Sequence, residues 1–269
     1  MKRRILLCAI SALLLAALAL CGTCMAEARW PQSSSGGQKT NGTLKLDVTA
    51  TYDGYFMAAV SKKSKHRMKL RVVKDGQTLT YDLNTDGDFE VFPLQLGSGN
   101  YEISLWENVS GKKYSNAGKL VVGVKLTNEN VCYLFPNQYV NYTKKSAAVK
   151  EAEKLCSGKS EKKSYTAIKE YMSTKFVYDF IKAATIKPNM LPDIDGSFKK
   201  HSGVCQDLSA IMVCMLRTQG IPAKLVIGYA DKTYHAWVVT IIDGKEIFFD
   251  PTAVINNSKP KKYTVERYY

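Results

Sequence analysis

The chain lacks the signatures of several common protein classes. No glycine-rich phosphate loop occurs in its 269 residues, which removes the usual nucleotide-binding pattern. Cysteine is sparse where it would count. Of seven cysteines, Cys8, Cys21 and Cys24 lie in the first 26 residues. The other four, Cys132, Cys156, Cys205 and Cys214, are too few and too dispersed for a disulfide scaffold. Cys132 and Cys156 are the candidate bridge, and Cys214 sits in an apolar helical stretch as core filler. Cys205, Cys214 and His235 lack the paired short spacing of a zinc site. Asp86, Asp88 and Glu90 lack the full loop spacing of a calcium site. No metal and no cofactor is expected. No internal repeat is visible, and no second apolar run of spanning length follows the first.

Acidic residues are outnumbered, 24 against 38 basic ones, giving a formal charge of +14. The basic side chains are spread along the chain (Lys62, Lys63, Lys65, Lys144, Lys145, Lys162, Lys163, Lys199, Lys200, Lys259, Lys261, Lys262), as on a solvated surface. Nucleic acid is not expected as a partner, because no recognition motif accompanies the charge.

What is present begins with a leader. Lys2, Arg3 and Arg4 precede an uncharged apolar run, Ile5 to Leu20, and Cys24-Met25-Ala26 has the small-x-small form of a cleavage site. Residues 1–26 therefore read as a secretory signal peptide. The run stops short of the ~20 residues that span a bilayer. Lipidation at Cys21 or Cys24 is the alternative fate of this segment. Removing the three basic residues lowers the formal charge to +11. The expectation is a secreted or cell-surface protein, drawn to anionic walls or membranes.

Residues 27–42 include WPQSSSGGQKTNG, read as a flexible linker. From 43 to 130 the pattern alternates as in strands: LKLDVTATY, YFMAAVS, RMKLRVV, TLTYDL, FEVFPL, YEISLW and KLVVGVKL, with turns at Asp75-Gly76, Asp86-Gly87 and Gly97-Ser98-Gly99-Asn100. About seven short strands suggest an antiparallel β-sandwich of immunoglobulin-like type, although the Cys-Trp-Cys signature is absent. Trp106 is assigned to its core. Residues 131–269 change character. SAAVKEAEKLC has helical spacing. A second helix starts after Ser160 and runs through SYTAIKEYMSTKF. KPNMLPDIDGSF reads as a loop, and a third helix runs from about Val204 to Gln219, stopped by Gly220 and Pro222. The strand patterns AKLVIGYA, YHAWVVTII and KEIFFD follow, so this half is α+β.

Chemistry concentrates at three places. Gly203-Val204-Cys205-Gln206-Asp207 opens the third helix. A thiol there meets the positive end of the helix dipole and unpaired N–H groups, which favour thiolate. Gly203 is expected to allow a tight turn and the approach of a substrate backbone. Among only three histidines, His235 lies in a strand, on the face of Trp237 and Val239, where a rigid backbone can hold a general base. His201 sits in a Lys-Lys-His-Ser loop with no visible orienting partner. Asp250 ends the next strand. If the Asp243-Gly244 turn makes a hairpin, Asp250 falls nearly opposite His235 and can accept from its far ring nitrogen.

The order Cys, His on a strand, Asp on the next strand, with GVCQDLSAIMVCMLRTQGIPAKLVIGYA, YHAWVV and FFDPT, resembles the transglutaminase-like superfamily. The resemblance covers about Val131 to Thr252. It implies a papain-like α+β catalytic domain behind the β-sandwich, with Cys205 as nucleophile, His235 as base and acid, and Asp250 as orienter. The implied reaction is acyl transfer at an amide of a protein or peptide, cell-wall associated or not, through a thioester. The oxyanion hole is expected at the Cys205 backbone N–H plus one upstream donor, with Gln138 and Tyr178 as candidates. Asp207 is expected to stabilise the helix start. The competing reading is a non-catalytic cell-surface binding protein that uses the sandwich.

Overall fold

The computed structural model describes residues 28–187 and 190–269. The leader at 1–26 lies outside the described residues.

The first half forms strands because its apolar residues alternate. The strands are β1 (Gln38–Asn41), β2 (Leu44–Asp47), β3 (Tyr55–Val60), β4 (Met68–Lys74), β5 (Gln77–Leu83), β6 (Glu90–Pro93), β7 (Gly99–Ser110) and β8 (Lys113–Val124). They make two antiparallel four-stranded sheets, β1-β2-β3-β6 and β5-β4-β7-β8. Leu44 and Leu46 from one sheet and Leu70, Val72, Ile103 and Leu105 from the other enter a common core. Tyr81 of β5 meets Phe92 of β6 edge-on at 5.1 Å. At the β4–β5 turn, Asp75 and Gly76 both have positive φ, 48° and 78°, the geometry that suits a two-residue hairpin.

Two expectations about this half need correction. The segment read as a linker is tied down from Trp30 onward. Ser33 Oγ and Ser34 N–H both donate to Asp47 Oδ2, Trp30 packs edge-on against Tyr142, and Gln38–Asn41 pairs with β2. Its Ser- and Gly-rich composition hid these long-range partners. Trp106 is not in the core. Tyr101, Ile103 and Leu105 take the inward positions, so Trp106 faces outward, where the Arg71 guanidinium lies over its ring at 5.4 Å.

The second half contains α1 (Ala147–Cys156), α2 (Glu161–Lys175), β9 (Val177–Tyr178), α3 (Phe180–Thr185), α4 (Ile194–Lys200), β10 (Ser202–Gly203), α5 (Cys205–Arg217), β11 (Ala223–Ala230), β12 (Thr233–Ile242), β13 (Lys245–Phe249), α6 (Pro251–Ile255) and β14 (Tyr263–Tyr268). The antiparallel sheet has the order β13-β12-β11-β14. Helix α5 is buried at every position from Asp207 to Arg217, as its nearly continuous apolar sequence requires. It ends where Gly220 takes a φ of 72° and returns its N–H to the Arg217 carbonyl. The 187–198 stretch holds one more helix than its Pro, Asp and Gly content suggested. The Asp193 carboxylate caps the start of α4 by accepting the Gly196 N–H.

One hydrophobic cluster runs from Leu44 to Tyr269 through both halves, crossing the expected domain boundary at 130–131. Arg217, fully buried, binds it further. Its Nε donates to the Ala223 carbonyl, one terminal nitrogen to Phe135 and the other to Tyr269. Cys132, Cys156 and Cys214 are buried and free, so the proposed Cys132–Cys156 bridge is absent. Among the described residues no helix is long and apolar enough to cross a membrane.

Candidate active site

Cys205 is the first residue of α5, half-buried at the base of a cleft of about 640 Å³. Its place is set by Asp207, two residues on. That carboxylate is fully buried. Oδ2 accepts from Val204 N–H at 3.0 Å and from Lys182 Nζ at 2.7 Å, and Oδ1 accepts from Asp193 N–H at 2.9 Å. Asp207 thus fastens the turn before Cys205 to α3 and to the start of α4. This agrees with a structural role at the helix start. Gly203 packs directly against this aspartate. Its φ is not positive, and a Cβ there would lie 2.8 Å from the Asp207 Cβ and 3.2 Å from Ser197 Oγ. Glycine is needed because Asp207 and Ser197 crowd it from within the fold.

His235 comes from β12, which lies across α5. Ser209 Oγ donates to the Ala236 carbonyl and locks helix to strand one residue from the histidine. Its side chain is 11% exposed. Nε2 of the ring meets Asp250 Oδ2 at 2.7 Å. Cys205 is the other titratable group that acts on the ring. Burial pushes the imidazole down. The hydrogen bonds and charges of Asp250 and Cys205 outweigh it, and the imidazole is raised to about 9.

Asp250 has left β13. It caps α6, with Oδ1 accepting the Ala253 N–H at 2.9 Å. In the β12–β13 register Val238 pairs with Phe249, so His235 is not opposite Asp250. The contact runs diagonally, and the sequence expectation is corrected by two residues. Burial would raise this carboxyl, but His235, the Ala253 N–H and the Tyr263 hydroxyl together hold it below the usual carboxylate range. The structure therefore brings Cys205, His235 and Asp250 into one series. A thiol, an imidazole and a carboxylate so arranged can pass a proton from sulfur to nitrogen and stabilise the charge pair that results.

The two oxyanion candidates separate. Tyr178 of β9 pairs with Gly203 and lines the Cys205 cleft. Gln138 does not reach it. Its Nε2 donates to the Asp82 carbonyl and to Glu90 Oε1, on the sandwich side. His201 lies away from the cleft, among Tyr171, Phe176 and Phe198. No group of three or more metal-ligating side chains occurs among the described residues.

Sequence reasoning missed Tyr263. Its hydroxyl donates to Asp250 Oδ2 at 2.8 Å, and its ring packs against Trp237 and Phe248 and lies 6.5 Å from the His235 ring. It lies on β14, a strand beyond the three expected in this half. YTVERY presents no apolar face, since all of it but Tyr263 is exposed. A signal did exist in β11. A Cβ on Gly228 would lie 2.0 Å from the Thr264 carbonyl oxygen, and a glycine inside a strand marks such a close approach.

Residues 150–251 match the model of the transglutaminase-like superfamily, a segment that holds Cys205, His235 and Asp250. The chain therefore carries a transglutaminase-like domain. No curated protein matches it. Among solved structures it is similar to a candidate cysteine protease from Cytophaga hutchinsonii at 16% identity, covering 80% of this chain and 83% of that one, with a TM-score of 0.44. It is similar to a TGase at 21% identity, over 44% of this chain and 32% of that one, TM-score 0.33. A candidate protease from Parabacteroides distasonis is 14% identical over 72% and 37%, TM-score 0.34.

Proposed function

We propose that this protein is a cysteine acyl-transfer enzyme acting on amides of proteins or peptides, with Cys205 as nucleophile, His235 as base and acid, and Asp250 as the residue that orients His235. The observation that carries this reading is the His235 ring, held by Asp250 at 2.7 Å on Nε2 and acted on by Cys205, the first residue of α5. Proton transfer from thiol to imidazole gives a thiolate–imidazolium pair. The sulfur attacks the amide carbonyl carbon, and the oxygen takes the negative charge. As the carbonyl re-forms, the C–N bond breaks and His235 gives its proton to the leaving nitrogen. The acyl group remains as a thioester. An amine or a water then attacks it, His235 takes that proton, and the thiolate leaves. An amine gives a crosslink and water gives hydrolysis; the three side chains serve both. The Cys205 N–H, at the first turn of α5 and without a partner inside the helix, faces the developing oxyanion, with Tyr178 beside it. Export through the 1–26 leader places the activity outside the cytoplasm or at the cell surface.

The test is iodoacetamide labelling of Cys205 against pH in the wild type and His235→Ala. Activation predicts rapid labelling well below the ordinary thiol range near pH ~8.5, lost in the variant. Ordinary behaviour in both proteins would sink the enzyme. Incubation with glutamine peptides, with and without a primary amine, then separates crosslinking from hydrolysis.

A further inference from the structure

Two donors share one oxygen. Asp250 Oδ2 accepts from His235 Nε2 at 2.7 Å and from the Tyr263 hydroxyl at 2.8 Å, while Oδ1 accepts the Ala253 N–H. Tyr263 reaches this point from the edge strand β14, on the far side of β11 from His235's own strand. A half-buried tyrosine could have turned its hydroxyl to water. This one points inward to the carboxylate, and its ring packs against Trp237 at 5.1 Å and Phe248 at 4.7 Å. The titratable groups that face the histidine are Cys205 from α5 and Asp250 from the α6 cap. Tyr263 stands behind Asp250, and Asp231, in the β11–β12 turn, acts on Tyr263.

We propose that Tyr263 is a positioning residue for the Cys205–His235 pair: its hydroxyl fixes the Asp250 carboxylate that orients the imidazole, and takes up part of the charge that would otherwise hold the imidazolium proton. The inference rests on the acyl-transfer reading above. Its chemical sense lies in the second half of the cycle. An imidazolium facing an unshared, buried carboxylate keeps its proton too firmly, and it must release that proton to the leaving nitrogen. A hydrogen bond from a neutral phenol spreads the carboxylate charge without adding a cation that would repel the imidazolium.

The experiment uses the full chain with isotope-labelled histidine. Only three histidines are present, and His235→Ala assigns the His235 signal. Tyr263→Phe keeps the ring packing and removes the donor. Its expected effect is to move the His235 titration midpoint upward by several tenths of a pH unit, up to about one, the scale of one hydrogen bond to a charged group. Replacing Tyr263 by 3-fluorotyrosine keeps the shape and strengthens the donor, so it moves the midpoint downward. The alkaline fall in Cys205 alkylation by iodoacetate, which the imidazolium charge attracts, shifts in the same two directions. A lowered unfolding temperature with an unmoved midpoint in both variants makes Tyr263 merely structural and overturns the inference. The two levels separate cleanly. If His235→Ala leaves the alkylation profile of the wild type intact, the acyl-transfer reading fails. If that profile depends on His235 but not on Tyr263, only the inference fails.

Discussion

Asp250 holds His235 from a helix cap rather than from the facing strand. The residue has passed the end of β13 and begins α6, with Pro251 at the first helical position, and its two oxygens divide the work. Oδ1 takes the Ala253 N–H, while Oδ2 takes the imidazole and the phenol. The cap therefore aims the carboxylate, and the histidine inherits the precision of the α6 start.

This division predicts how Asp250→Asn behaves. The amide oxygen can keep the cap on Ala253 N–H, so the fold survives. The side-chain charge is lost, and the imidazolium loses its main support. Labelling of Cys205 by iodoacetamide near neutral pH is expected to fall about 10–100-fold, to the level of His235→Ala, because a base that is no longer oriented contributes on that scale or more. An Asn variant that labels at the wild-type rate would remove Asp250 from the series.

The raised imidazole also predicts a pH dependence of stability. His235 titrates at about 9 in the folded chain against 6.5 for the ordinary residue. Between those values the native state binds a proton that the unfolded chain has released. The contribution is complete below the ordinary value and is lost as pH rises through about 9. Its ceiling is about 3 kcal/mol at roughly 1.4 kcal/mol per tenfold change in proton affinity. Asp250 acts at the other end. Its depressed carboxyl stabilises the fold above the ordinary carboxylate value and loses that contribution as pH falls through the lower folded value. Urea midpoints of the wild type should thus decline from pH ~6.5 to 9 more than those of His235→Gln. Parallel curves for the two proteins would contradict the assignment.

The reach of the sequence follows from which contacts are local. Strands β11, β12 and β13 and helix α5 were legible to within a residue or two at their ends, because their apolar patterns report burial directly. Cys205, His235 and Asp250 were legible because each sits at a marked local position: a helix start, a strand face, a strand end. The diagonal His235–Asp250 contact was not, since Asp250-Pro251 leaves the strand before the hairpin count is complete. Tyr263 was hidden because its strand is exposed and its partner lies 13 residues back in the chain. β1 was hidden because its pairing with β2 left a polar, surface sequence.

Arg217 carries the most specific stability prediction. Its guanidinium is fully buried and spans the carbonyls of Ala223, Phe135 and Tyr269, which belong to the start of β11, the segment between β8 and α1, and the residue after β14. Burial pushes the guanidinium down from its ordinary value, and the three carbonyls compensate the charge without a carboxylate. Arg217→Met fills much of the space but takes a donor from all three; Tyr269 keeps the Leu225 N–H, while the Ala223 and Phe135 carbonyls lose their Arg217 partner. At about 1–3 kcal/mol for each of these two buried unsatisfied groups, a loss of at least about 2 kcal/mol is expected in denaturant unfolding. Arg217→Lys should recover only part of it, because a single ammonium cannot reproduce the planar fork. Full recovery by lysine would show that the charge matters and the three-way geometry does not.

Gly203→Ala tests how Cys205 is placed. The added methyl meets the Asp207 Cβ at 2.8 Å and Ser197 Oγ at 3.2 Å, and neither is the free end of a flexible chain. Asp207 cannot yield easily, since its oxygens hold Val204 N–H, Asp193 N–H and Lys182. The strain must move either the aspartate or the turn that carries Cys205. Overpacking of this kind costs about 1–3 kcal/mol, readable as a lower unfolding midpoint. Because Val204 N–H and Cys205 are adjacent, a displaced Asp207 shifts the thiol relative to His235, and labelling should slow even at temperatures where the variant is fully folded. An alanine variant that loses stability but keeps the wild-type labelling rate would mean that Asp207 anchors α5 without setting the position of the sulfur.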